Sequence, residues 1–178
     1  MTKPASAPTP ALMSSHSPAP SYSPAPTSSP TACAERVRAL MYAEDKAAQH
    51  LGMVVSAIGP GHATVRMTVQ DFMTNGHHIC HGGYIFLLAD SAFAYSCNSY
   101  NQRTVAAGAM IDFIAAAQKG EDLIAEATEV SRGRRSGVYD VRVRGDGDRL
   151  IAVFRGRSAT IKGVFFDPDT VDTEESSQ

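Results

Sequence analysis

The chain has 178 residues and a mass of 18.9 kDa, the size of one domain with or without a tail. A formal net charge of −2 gives it no whole-chain attraction for nucleic acid or for an anionic membrane surface. Its three cysteines, Cys33, Cys80 and Cys97, are odd in number and widely spaced, which excludes a disulfide framework and suits a reducing cytoplasm.

Residues 1–32 carry eight of the ten prolines, interleaved with Ala, Ser and Thr. Such a stretch has too few apolar side chains to offset the entropy of ordering it, so it is predicted to be disordered. It reads as a flexible tail or the product of an early start codon, with a polyproline ligand as the alternative. Lys3 is followed by no apolar run, which argues against a secretory signal. From Glu35 to Leu51 the spacing predicts an amphipathic helix with Val37, Leu40, Met41, Ala47, Ala48 and Leu51 on one face, stopped by Gly52. Met53–Ile58 reads as a strand and Gly59-Pro60-Gly61 as a turn. A second strand follows, in which Ala63, Val65, Met67 and Val69 alternate with Thr64, Arg66 and Thr68.

The next element is the most informative. From Gly82 or Gly83 to about Asn98 every residue is apolar, aromatic or small except one charged side chain, Asp90. A helix that is hydrophobic all round belongs inside a protein. It falls short of the ~20 residues needed to span a bilayer and has an acid in its middle. Burying an unpaired carboxylate costs several kcal/mol, so an acid kept there signals pairing or chemistry. Its lead-in, Asn75-Gly76-His77-His78-Ile79-Cys80-His81, is polar and ends at the two glycines. Four strands are predicted beyond it: Val105–Phe113, Leu123–Val130, Val138–Arg144 and Leu150–Ile161. Short turns between them imply antiparallel pairing. The predicted fold is α+β, an antiparallel sheet wrapped around one long helix, in a domain over 35–163. The acidic, polar stretch 167–178 is predicted to be disordered.

Asn75-Gly76-His77-His78-Ile79-Cys80-His81-Gly82-Gly83 followed by Phe86-Leu87-Leu88-Ala89-Asp90 resembles the signature of the hotdog-fold thioesterases, in particular the PaaI branch of phenylacetic acid degradation. Met110-Ile111-Asp112-Phe113, Gly137-Val138-Tyr139-Asp140 and Phe154-Arg155-Gly156-Arg157-Ser158 are similar to the later strands of that family. The resemblance implies hydrolysis of acyl-CoA, with arylacetyl-CoA typical of the branch, in cytoplasmic dimers whose sheets join and which commonly pair into homotetramers. It implies no cofactor, and it gives Asn75 the task of orienting water or substrate. Ile114-Ala115-Ala116-Ala117-Gln118 departs from the family in lacking an Arg-Pro, which bears on acyl preference.

The residues themselves carry a chemical reading. Gly82 and Gly83 open a helix, so their N–H groups have no intrahelical acceptor and sit at the positive end of the dipole, as an oxyanion hole requires. Asp90 is the candidate general base or nucleophile. Eight residues of helix put it about 12 Å along the axis from Gly82, whereas reacting atoms must come within roughly 3–3.5 Å. Gly82 of one chain is therefore expected to face Asp90 of a second across a two-fold axis. Asn75-Gly76 also fits a plain tight turn; His81 is a candidate catalytic residue that positions the loop or touches the substrate, and it also fits a helix cap. Asp90 itself could be a structural acid bonded to Ser91 or a backbone amide. Arg134 and Arg135, in a basic loop, and Arg155 and Arg157, on the last strand, are candidates for the phosphates of CoA. His77, His78, Cys80 and His81 are potential metal ligands at a spacing that matches no usual zinc pattern, and no metal is expected. Cys80 as a nucleophile would need a histidine from elsewhere in the fold. A non-catalytic acyl-CoA-binding module and an acyl-CoA hydratase or dehydratase are the rival readings.

Overall fold

The computed structural model describes residues 29–167; the remainder of both predicted tails lies outside the described residues. Ser29 caps the first helix, α1 (Pro30–Glu44), its Oγ accepting from the Ala32 N–H at 3.1 Å, and Pro30 occupies the first turn. The helix therefore takes in Pro30, Thr31 and Ala32, which composition assigned to the tail. The expected single helix to Leu51 is also corrected. Asp45 leaves helical geometry (φ −83°, ψ 81°), ends α1, and starts α2 (Lys46–His50) by accepting from the Ala48 N–H at 3.0 Å. Its second oxygen receives the Tyr95 hydroxyl at 3.3 Å, which ties the break to the central helix. Leu40, expected on the packed face, is 42% exposed.

Strands β1 (Val54–Gly59) and β2 (His62–Thr68) come next, then the central helix α3 (Gly82–Asn98) and strands β3 (Thr104–Phe113), β4 (Asp122–Arg132), β5 (Ser136–Gly145) and β6 (Arg149–Thr160). All adjacent strands pair antiparallel in one six-stranded sheet of order β1-β2-β4-β5-β6-β3. Helix α3 crosses its inner face and touches every strand. Alternation along the strands sends Val65, Met67, Leu123, Ala125, Val141, Val143, Ala152 and Phe154 inward, where they bury Leu88, Ala89, Ala92 and Phe93 of α3. Each large side chain so buried contributes about 1.5–3 kcal/mol. This is the α+β hotdog arrangement. Among the described residues no helix is long and apolar enough to cross a membrane.

Two polar side chains hold the ends of α3 in register with the sheet. Asn98 donates to the carbonyls of Ala94 and Thr104 and accepts from the Thr104 N–H, so the last turn of α3 passes directly into β3. At the other end the key residue is Glu121, buried and unremarked by sequence reading. Its carboxylate accepts from the Gln118 N–H at 2.8 Å, the Asp146 N–H at 3.0 Å and the Arg149 guanidinium at 2.6 Å. A Cβ at Gly145 would collide with it, so that turn needs glycine. The segment Glu121 anchors also pairs with the approach to α3: Cys80 N–H donates to Ala117 O, and Ile79 bridges Gln118. Glu121→Ala should lower folding stability by about 3 kcal/mol, chiefly by stranding two backbone donors. Glu121→Gln, which keeps an acceptor, should lose less. Urea denaturation midpoints at unchanged m-value would measure both.

Candidate active site

The lead-in to α3 is a tight loop closed by a bridge between Thr74 and Cys80. Asn75 N–H donates to Ile79 O and Asn75 O accepts from His78 N–H, both at 2.9 Å, with His78 at a φ of 59°. Asn75 Oδ1 accepts from the His77 N–H at 2.9 Å, which fixes the carboxamide. Its Nδ2 meets no acceptor among the described residues. The tight turn thus uses the oxygen of Asn75 and leaves the amide nitrogen available.

His81 is the N-cap of α3, and its Nδ1 accepts from the Gly83 N–H at 2.9 Å. A neutral imidazole that accepts at Nδ1 carries its proton on Nε2. The two glycine amides are therefore not equivalent. That of Gly83 is occupied by this cap, while that of Gly82 has no acceptor among the described residues. A Cβ at Gly82 would lie 2.9 Å from Cζ of Phe113, whose ring comes from the end of β3 and is 53% exposed. Glycine lets this ring lie against the start of α3, and any Cβ there would push it aside. Sequence reading placed Phe113 in a strand and did not connect it to the site.

Asp90 is half-buried near the middle of α3, and no donor among the described residues reaches it. The expected structural partner, Ser91 or a backbone amide, is not made. Burial without compensation raises the Asp90 carboxyl above the ordinary range for aspartate. Gly83, Leu87, Asp90 and Ala94 follow helical spacing along the one stripe of α3 that the sheet leaves uncovered. The stripe borders an apolar groove between α3, the start of β3 and the chain beyond β6, with Asp90 in its wall. Arg103, also on its border, was not identified from the sequence.

The other reactive candidates are spread out. Cys80 is buried, its Sγ 3.7 Å from His81 O, and burial with the nearby Glu121 charge pushes its thiol up to about 11. Cys97, buried beside the groove, is pushed up to about 12, again mainly by burial. His77 and His78 are exposed. Among the described residues no three His, Cys, Asp or Glu side chains converge on a common point. Arg134 and Arg135 lie in the exposed turn between β4 and β5, where Arg135 O accepts from the Thr160 N–H at 3.0 Å. Arg155 and Arg157 stand apart from Asp90. They alternate with Phe154 and Gly156, which pack on Phe93 of α3, so they project from the opposite face of the sheet. Arg155 is held there by Asp140 across the β5–β6 pair, at 2.6 and 2.8 Å, and Arg157 lies over Gly108.

Known proteins match this geometry. The family model of the thioesterase superfamily matches residues 77–152. Acyl-coenzyme A thioesterase PaaI of Escherichia coli is 42% identical over 124 residues, covering 70% of this chain and 89% of that protein. A putative esterase of Archaeoglobus fulgidus is 38% identical over 122 residues, or 68% and 79% of the two chains. The solved structure of the E. coli PaaI protein from the phenylacetic acid degradation operon superposes with a TM-score of 0.76 at 40% identity, covering 76% of this chain and 99% of that one.

The raised Asp90 carboxyl has a signed consequence for stability. The native chain holds this proton more tightly than the unfolded chain does, so stability falls as pH rises from the unfolded value, ~3.9, through the native one. Above both it stays at its lower level. Asp90→Asn should therefore unfold at a higher temperature than wild type at neutral pH. The gap should close as the pH falls below the unfolded value. Melting curves of both proteins across that range would check it.

Proposed function

Because this chain belongs to the thioesterase superfamily and is an acyl-coenzyme A thioesterase, we propose that it hydrolyses arylacetyl-CoA to the free acid and CoA in the cytoplasm, in phenylacetate degradation. Phenylacetyl-CoA and its ring-hydroxylated forms are the substrates meant. Support comes from the extent of the match to PaaI and, above all, from one observation: an unpaired carboxylate opens onto an apolar groove.

In this reading the Gly82 N–H, at the positive end of the α3 dipole, binds the thioester oxygen and stabilises the oxyanion as it forms. Asp90, as base or nucleophile, drives addition to the carbonyl carbon, the C–S bond breaks, and the sulfur leaves with a proton. Asn75 Nδ2 orients the water or the thioester. His81 acts as a positioning residue, since its cap of Gly83 fixes where the helix begins. Arg134 and Arg135 meet the CoA phosphates.

Gly82 and Asp90 sit on one unbroken helix, about 12 Å apart along its axis, so one chain cannot bring both to the same carbonyl. We place each site between two chains, joined along β3. That strand is an unpaired sheet edge ten residues long, with Val105, Met110 and Phe113 exposed on it. A further pairing of such dimers gives the tetramer.

Steady-state assays over aryl and alkyl acyl-CoAs should give the highest kcat/KM with phenylacetyl-CoA or a hydroxylated form. Higher values for straight-chain substrates would overturn the arylacetyl assignment.

Mixing two inactive variants tests the shared site. Gly82→Pro removes the donor at a position whose backbone suits proline, since it is the first helical residue and His81 before it is extended (φ −64°, ψ 131°), and its ring needs only the exposed Phe113 side chain to move aside. Asp90→Asn removes the acid and should cost ~10²–10⁴ in kcat. A heterodimer has one site with both lesions and one with neither, so random assortment should restore about a quarter of wild-type activity. Proven heterodimers without recovery would mean that each site is built within one chain.

A further inference from the structure

After β6 the chain has no regular secondary structure from Ile161 to Asp167, yet it is held at several points. Asn101 is buried at a left-handed φ of 58°. It accepts from the N–H groups of Phe165 and Phe166 at 3.0 and 3.2 Å and donates to Phe166 O at 2.9 Å. Arg103 adds three hydrogen bonds. Its N–H donates to Gly163 O, its carbonyl accepts from the Ile161 N–H, and its Nε donates to Val164 O. Its guanidinium carbon lies 4.8 Å from the centre of the Phe165 ring, and Arg36 covers Phe166 at 4.1 Å. An irregular segment with this many directed contacts is being held in one place.

That place is the groove beside Asp90. The cavity measures about 310 Å³, with Asp90, Phe93 and Cys97 on the α3 side and Val105, Ile161 and Phe165 across from them. Phe166, the next residue, is turned away beneath Arg36 and does not line it. Binding pockets are mostly apolar, with a few polar groups that fix orientation. Here Asn98, Arg103 and Thr104 line the groove together with the acid proposed to act on the thioester, so the apolar wall opposite that acid faces the part of the substrate next to the reacting carbon.

We propose that the segment Ile161–Phe165 is a specificity wall, in which Phe165 packs against the acyl group and sets its permitted size and shape. This assignment rests on the thioesterase reading of Asp90 and deepens it. The aromatic ring favours a flat aryl group, and Asn101 and Arg103 keep the wall from yielding to a longer chain.

The test compares phenylacetyl-CoA with octanoyl-CoA on wild type, Phe165→Ala, Phe165→Trp and Phe166→Ala. Removing the ring should shift the kcat/KM ratio toward octanoyl-CoA by ~10-fold or more, the size expected for losing part of an apolar pocket. The larger indole should shift it the other way, and Phe166→Ala should leave it unchanged. Phe165→Trp keeps the aromatic contact with Arg103 and carries the test if Phe165→Ala proves too unstable to assay. A ratio unchanged in both Phe165 variants, or an equal shift in Phe166→Ala, would overturn the wall while wild-type turnover left the thioesterase reading intact. No wild-type turnover on any thioester would remove that reading and the wall with it.

Discussion

The structure depends on the burial of one helix. Helix α3 is apolar on nearly every side, and water can be kept from it only by wrapping it. A twisted antiparallel sheet does so with side chains that alternate inward, and the remaining elements serve that enclosure: α1 and α2 close the β1 side, while Asn98 and Glu121 hold the two ends. The wrapping is incomplete. One stripe of α3 stays open, and the single acid of the helix lies on it. The uncovered stripe and the groove beside it therefore have one origin, a sheet too narrow to surround the helix, while burial of the rest of the Asp90 side chain raises its carboxyl.

The fold was legible because its signals are periodic. Alternation in Ala63–Val69 and Val138–Arg144 and the unbroken apolar run around Asp90 left little choice of element or orientation, and each predicted strand lies within two residues of its observed bounds. The failures were local. A proline-rich composition hid Ser29 and Pro30, which are a helix start. Asp45 looked like one more polar residue in a helix, though its carboxylate caps α2 and its backbone breaks the run.

The site was half legible, for a different reason. Asn75, His81, Gly82 and Asp90 lie close in sequence around one helix start, so their spacing carries information. Phe113, Glu121, Arg103 and Phe165 come to the site from distant parts of the chain through tertiary contact, and no local pattern announces them. Arg155 and Arg157 show the converse case. They were chosen for charge, and the alternation of their own strand, which was already in view, sends them to the other face.

The buried thiols have a bearing on chemical safety. A protein that handles activated acyl groups invites transthioesterification, in which a cysteine thiolate takes the acyl group from CoA and keeps it. The attacking species is the thiolate, and its supply is set by pKa and access. Burial pushes the thiol of Cys97, beside the groove, up to about 12, so thiolate is scarce there at neutral pH. Cys80, one residue from the cap of α3, is held at about 11. The apolar packing that wraps α3 thus also holds these two thiols in the form that resists acylation by a thioester.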